Sequence, residues 1–183
     1  MSETSIQTDI HTATVIADEP DDPESPLPDL RRLENFILKT LEILEVPSSE
    51  LVVKIAGRKE SAELNRQYRS IDRETNILSF PASLPDWKSA PVPDDRAGQN
   101  LLGDMLVCHP VMVDEAKAQG KTLEAHYAHI CVHGVLHLLG FDHELPEEAD
   151  AMEAREIEIL YRLGFDNPYL FSRPSNLKEQ GNE

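Results

Sequence analysis

The stretch Thr122–His143, TLEAHYAHICVHGVLHLLGFDH, holds five of the seven histidines in a chain of 183 residues, and its reading decides the rest. His133 and His137 are four residues apart, so on an α-helix they stand one above the other and can aim a ring nitrogen at one point. Gly140 is placed to end that helix, because a glycine just past the last turn can take the left-handed conformation that reverses the chain. The reversal lets His143, three residues on, fold back toward the pair. Three neutral imidazoles from H-x-x-x-H-x-x-G-x-x-H fill three corners of a tetrahedron and leave the fourth open, as in a catalytic rather than a structural zinc site. Apart from Glu124 and the histidines the stretch is apolar nearly all round (Ala128, Ile130, Cys131, Val132, Val135, Leu136, Leu138, Leu139), which is how a buried helix reads. A buried imidazole needs a hydrogen-bond or metal partner, and packing alone gives no reason for two on one face beside a third. His126 and His129 extend the stripe but lie one to two turns behind the pair, so they read as hydrogen-bonded neighbours rather than ligands. His11 and His109 read as ordinary core or surface histidines.

Working outward, Ile6–Ile16 has the β-branched character of a first strand. The segment Asp18–Asp29, with four prolines among acids, reads as a solvated linker. Leu30, Leu33, Phe36, Ile37, Leu41 and Leu44 follow the spacing of an amphipathic helix that stops before Pro47. LVVKIA (51–56) is a strand, 61–69 a short helix, and NILSF (76–80) a strand cut by Pro81. Residues 81–100 form a long exposed loop, and LLGDMLVC (101–108) is another strand. A helix over 110–119 is closed by Gly120, and Thr122 caps the histidine helix. Pro146 opens a last helix that runs to Leu163, with Gly164 past its end. Strands and helices mix without regular alternation, which predicts an α+β fold: a small mixed β-sheet with helices packed on it, the buried histidine helix at its centre. The expected organisation is an acidic, proline-rich extension over 1–29 that includes the candidate first strand, one catalytic domain over 30–171, and a loose tail over 172–183.

At 183 residues the chain is long enough for one domain with a real core. No run of about 18 apolar residues is present, so no membrane span is expected. The acidic, polar N-terminus does not read as a secretory signal. Cys108 and Cys131 form no C-x-x-C pair and indicate no disulfide framework, so a reducing, cytoplasmic setting fits. The net charge is −17, but the first 30 residues hold eight acids and no Lys or Arg, which leaves 26 acids against 17 bases in the remainder. That acidic balance counts against general polyanion binding. The exception is local: Lys54–Arg73 carries six bases against three acids.

The histidine spacing is also that of metzincin proteases, in which a glutamate after the first histidine serves as general base. Here that position is Gly134, which supplies no base and lets something approach the helix closely. The run His133-Gly134-Val135-Leu136-His137-Leu138-Leu139-Gly140-Phe141-Asp142-His143 instead resembles the H-G-x-L-H-L-x-G-[YF]-D-H signature of the YbeY family of bacterial metal-dependent endoribonucleases. Leu64-Asn65-Arg66-Gln67-Tyr68-Arg69, then Asp72, then Thr75-Asn76-Ile77-Leu78-Ser79-Phe80-Pro81, is similar to a second family block, and Leu102-Gly103-Asp104 resembles its L-G-D strand. Ile77 stands where valine is usual, and Phe141 where tyrosine is commoner.

The resemblance implies a zinc-dependent endoribonuclease with one Zn2+ held by His133, His137 and His143. It would act on single-stranded regions of ribosomal RNA, in small-subunit rRNA 3′ end maturation and ribosome quality control, in the cytoplasm and with the ribosome or its proteins as partners. It marks Arg69 as functional, and a guanidinium can hold a phosphate through two parallel hydrogen bonds. Arg69 is therefore the candidate catalytic residue, for phosphate binding and transition-state charge. Asp104 is open to two readings, orienting a ligand or Arg69, or shaping a strand end; Asp142 reads as a turn residue. Whether water or a ribose hydroxyl attacks is left open. Two rivals remain: a zincin-like hydrolase of another substrate, and a non-catalytic ribosome assembly factor whose zinc only holds the fold.

Overall fold

The computed structural model describes residues 11–18, 25–46, 48–82, 101–141 and 145–170. His143, Asp142, residues 1–10, residues 19–24 of the acidic linker, the loop residues 83–100 and the tail from 171 lie outside the described residues.

Four strands form one mixed sheet in the order β1-β2-β4-β3. β1 (Thr12–Ala17) lies parallel to β2 (Glu50–Ala56), β2 parallel to β4 (Leu101–Cys108), and β3 (Ile77–Pro81) antiparallel to β4. The helix between the parallel strands β1 and β2, α1 (Leu30–Ile43), is the crossover such a pair requires. It buries Leu33, Phe36, Ile37, Thr40 and Leu41 along one stripe and starts at Asp29, whose carboxylate accepts from the backbone N–H of Arg31 and Arg32. β1 ends one residue beyond the expected first strand, whose opening residues 6–10 lie outside the described residues.

Strand alternation divides the sheet into two faces. Val15, Leu51, Val53, Ile55, Ile77, Met105 and Val107 join the main core with α1, α4 (Leu123–Leu138) and α5 (Pro146–Leu163). Ala56, Leu78 and Leu106 form a smaller cluster with Leu64 of α2 (Arg58–Arg69) and Phe80. α4 carries the buried Tyr127, Ala128, Val132, Val135 and Leu136 and packs on α1, α3 (His109–Gln119), α5 and the sheet, so the helix expected at the centre is there. Both cysteines are free and buried, and burial pushes the Cys131 thiol up to about 12. Among the described residues no helix is long and apolar enough to cross a membrane.

β4 carries one residue more than β2 at its start: Glu50 pairs with Leu101 and Leu51 with Gly103. Gly103 sits at that bulge with φ +141°, and a Cβ there would lie 2.3 Å from the Phe80 carbonyl oxygen and 2.9 Å from Leu138 Cδ2. A side chain at this point would push the sheet and the histidine helix apart.

Candidate metal centre and arginine pocket

α4 starts at Thr122, whose hydroxyl accepts from Ala125 N–H at 3.1 Å. At its other end Gly140 takes φ +92°, its N–H bonds to His137 O, and the N–H of Phe141 bonds to Leu136 O. This 6→1 and 5→2 pair is the Schellman closure expected from the glycine, and it turns the chain immediately before residues 142–144.

The structure brings His133 and His137 together. Their Nε2 atoms lie 3.0 Å apart, with the rings edge-on at a centroid distance of 4.5 Å. Two nitrogens each about 2.0–2.1 Å from one tetrahedral zinc would stand roughly 3.3 Å apart, so this pair fits a shared ion with a small opening. Among the described residues taken alone, no three His, Cys, Asp or Glu side chains are grouped to hold a metal.

Behind the pair lies a carboxylate with no motif to announce it. Glu156 is wholly buried on α5; it accepts from His133 Nδ1 at 2.7 Å and from His129 Nε2 at 3.0 Å, and the Tyr169 hydroxyl donates to it. Burial opposes its charge, but the hydrogen bonds from His129, His133 and Tyr169 outweigh burial and hold its carboxyl down to about 2. An ionised carboxylate can only accept, so His133 must carry its proton on Nδ1, which leaves the Nε2 lone pair facing His137. Burial, and then Glu156, push the Tyr169 phenol well up, so it keeps the proton it donates. The sequence did contain one signal for Glu156: it stands in register with Met152, Ile159 and Leu160, the apolar stripe of α5, where an acid has no packing reason to be.

His126, one step further back, bonds Glu115 Oε2 at 2.8 Å, and Asn76 Nδ2 donates to the same carboxylate at 3.1 Å. Hydrogen bonding from His126 overcomes burial and draws the Glu115 carboxyl below its ordinary value. His109 is in the core, between the Tyr127 hydroxyl and Ser25.

Gly134 is explained by the sheet. A Cβ there would lie 2.3 Å from Met105 Sδ and 2.7 Å from Ile77 Cδ1, so what comes close to the helix is β3 and β4.

Arg69 is elsewhere. It ends α2, exposed, and lines a surface pocket with Asn65, Arg73, Asn76 and Glu115; neither His133 nor His137 lines that pocket. The corner is fastened by polar side chains of α2: Ser61 Oγ donates to Thr75 O at 2.9 Å, and Asn65 Nδ2 donates to Arg73 O at 2.8 Å. Of the local bases, Lys54 is held by Glu60 and Asp18, and Arg58 by Glu74 and Asp114. Arg69 makes no ion pair among the described residues, which leaves its guanidinium for an anion, while the charge of Arg73 acts on Glu74 beside it. Asp104 is exposed and pairs in register with Phe80, on the sheet face opposite Met105, and so points away from the histidine helix. It makes no hydrogen bond to Arg69 among the described residues.

The family described as Endoribonuclease YbeY matches residues 17–164. The chain belongs to the YbeY family of endoribonucleases. The match runs from the end of β1 to the close of α5 and takes in both sequence blocks. Endoribonuclease YbeY of Xanthomonas campestris pv. campestris (strain B100) is 49% identical over 130 residues, 70% of this chain and 76% of that protein. The YbeY endoribonuclease of Methylococcus capsulatus is 50% identical over 131 residues, covering 72% and 81% of the two chains. That of Xylella fastidiosa (strain M12) is 45% identical over 150 residues, covering 81% and 88%. The solution structure of TM1509 from Thermotoga maritima aligns over 91% of this chain and 99% of that one, at a TM-score of 0.49 and 22% identity.

Proposed function

We propose that the chain is a zinc-dependent endoribonuclease that cuts single-stranded regions of ribosomal RNA, in small-subunit rRNA 3′ end maturation and ribosome quality control in the cytoplasm. The observation that carries the metal part is the convergence of His133 and His137 Nε2 at 3.0 Å on a buried helix, with the other nitrogen of His133 already committed to Glu156. His143 would be the third ligand. When bound, a divalent ion supplies Lewis-acid polarisation of a phosphoryl oxygen and eases deprotonation of the attacking hydroxyl. His133 and His137 hold and orient, and Arg69, which makes no ion pair among the described residues, grips a phosphate of the RNA from its own pocket. Gly134 cannot act as a general base, and its packing on Met105 leaves no room for one, which turns the site away from peptide hydrolysis.

The test is cleavage of single-stranded RNA and of an unstructured peptide by wild type and Arg69→Ala, with folding followed by circular dichroism and zinc content measured on each preparation. RNA cleavage that falls in Arg69→Ala with fold and zinc retained supports the reading. Peptide cleavage with intact RNA would replace it with the zincin-like hydrolase. Folded, zinc-loaded protein that cleaves neither would leave the assembly-factor reading. A 2′,3′-cyclic phosphate on the product would identify the ribose hydroxyl as nucleophile.

A further inference from the structure

Glu156 reaches the histidine pair from a different helix. Its two oxygens are shared by His133 Nδ1, His129 Nε2 and the Tyr169 hydroxyl, and the carboxylate is wholly enclosed. A buried carboxylate is costly unless its lone pairs are satisfied, and three donors satisfy this one. The three are not equivalent. His129 also lies 3.3 Å from the Tyr169 hydroxyl and edge-on to its ring, so these two brace the carboxylate from behind. His133 alone carries the connection forward, from Glu156 on one ring nitrogen to His137 on the other.

We propose that Glu156 is the positioning residue of the metal site, fixing the Nδ1–H tautomer and the ring orientation of His133 so that its Nε2 is presented toward His137 as a donor, with His129 and Tyr169 as its braces. The role rests on the metal reading above. A carboxylate behind a ligating imidazole both locks the ring and raises its basicity, and losing such a partner weakens metal binding by about 10- to 100-fold. A purely structural tie between α4 and α5 would lower the stability of the metal-free protein without altering which nitrogen of His133 holds the proton.

Two measurements separate these. In the metal-free wild type, nitrogen-15 chemical shifts of the His133 ring report the tautomer directly. The Nδ1–H form is expected, and a dominant Nε2–H form would overturn the proposal without any variant having to fold. In Glu156→Gln, zinc affinity by chelator competition should fall about 10- to 100-fold, with circular dichroism preserved. Glu156→Asp, which keeps the charge on a shorter arm, should recover part of the loss. A folded Glu156→Gln with wild-type zinc affinity and an unchanged His133 tautomer would overturn it. Wild-type protein that takes up no zinc would sink the metal reading alone, and the His133 tautomer would still decide what Glu156 does.

Discussion

Gly134 and Met105 are in direct apposition: a Cβ at position 134 would stand 2.3 Å from Met105 Sδ, and Met105 is itself 2% exposed. The helix that carries the histidines therefore lies flush on β4. Gly134→Ala should force Met105 and Ile77 from their places, a cost of about 1–3 kcal/mol typical of overpacking. Thermal or urea unfolding reads it directly, and an unchanged midpoint would mean the core has slack that the packing does not show.

Gly103→Ala should be worse. Its contact is with the Phe80 carbonyl, a backbone atom that cannot rotate away, and its φ of +141° disfavours any side chain. Because Leu138 also meets this position, the substitution should lower stability and zinc content together. A Gly103→Ala protein as stable as Gly134→Ala would contradict this ordering.

Much of this arrangement was legible in the sequence, because glycine, proline and threonine mark it. Gly120, Thr122, Gly140, Pro146 and Gly164 stand at the helix ends where their backbone or capping properties put them. The misses are also physical. α2 begins at Arg58 rather than at residue 61, since its buried positions are Ser61 and Asn65, polar residues that leave no apolar period to read. β3 continues through Pro81 because it is an edge strand and Pro81 pairs with Gly103 at the bulge, where the missing N–H is tolerated. Glu156 went unseen because its partners are 23 and 27 residues away in sequence, and an acid on a helix ordinarily reads as solvated.

His109 should confer an acid sensitivity remote from the histidine pair. Burial, set against the hydrogen bond to the Ser25 carbonyl, lowers its pKa below the ordinary 6.5. Its Nε2–H donates to that carbonyl while Nδ1 accepts from the Tyr127 hydroxyl, at 3.3 and 2.8 Å, an arrangement that suits the neutral ring. Since the unfolded chain binds this proton more readily, the stability contributed by neutral His109 is full above about pH 6.5 and is lost as pH falls through that value toward the folded pKa. Unfolding midpoints between pH 7.5 and 5 should decline less steeply in His109→Gln than in wild type. Parallel declines would place the acid sensitivity in other groups.

Arg69 is exposed and outside the core, so Arg69→Ala should change stability by no more than about 0.5 kcal/mol. If it grips a phosphate, a charge-assisted hydrogen bond worth about 1.5–3 kcal/mol disappears, and RNA cleavage should slow by roughly 10- to 100-fold. Arg69→Lys should recover only part of the rate, since an ammonium cannot form the two-pronged contact. Full rescue by lysine would reduce the role to charge alone.

The most direct measurement is zinc stoichiometry and single-stranded RNA cleavage on the same preparations of wild type and His137→Ala. About one ion per chain and cleavage are expected in the wild type. Removal by chelator should abolish cleavage and added zinc restore it, while a folded His137→Ala should hold little zinc and leave RNA intact. A folded His137→Ala that has lost its zinc and still cuts RNA at the wild-type rate would contradict zinc-dependent cleavage.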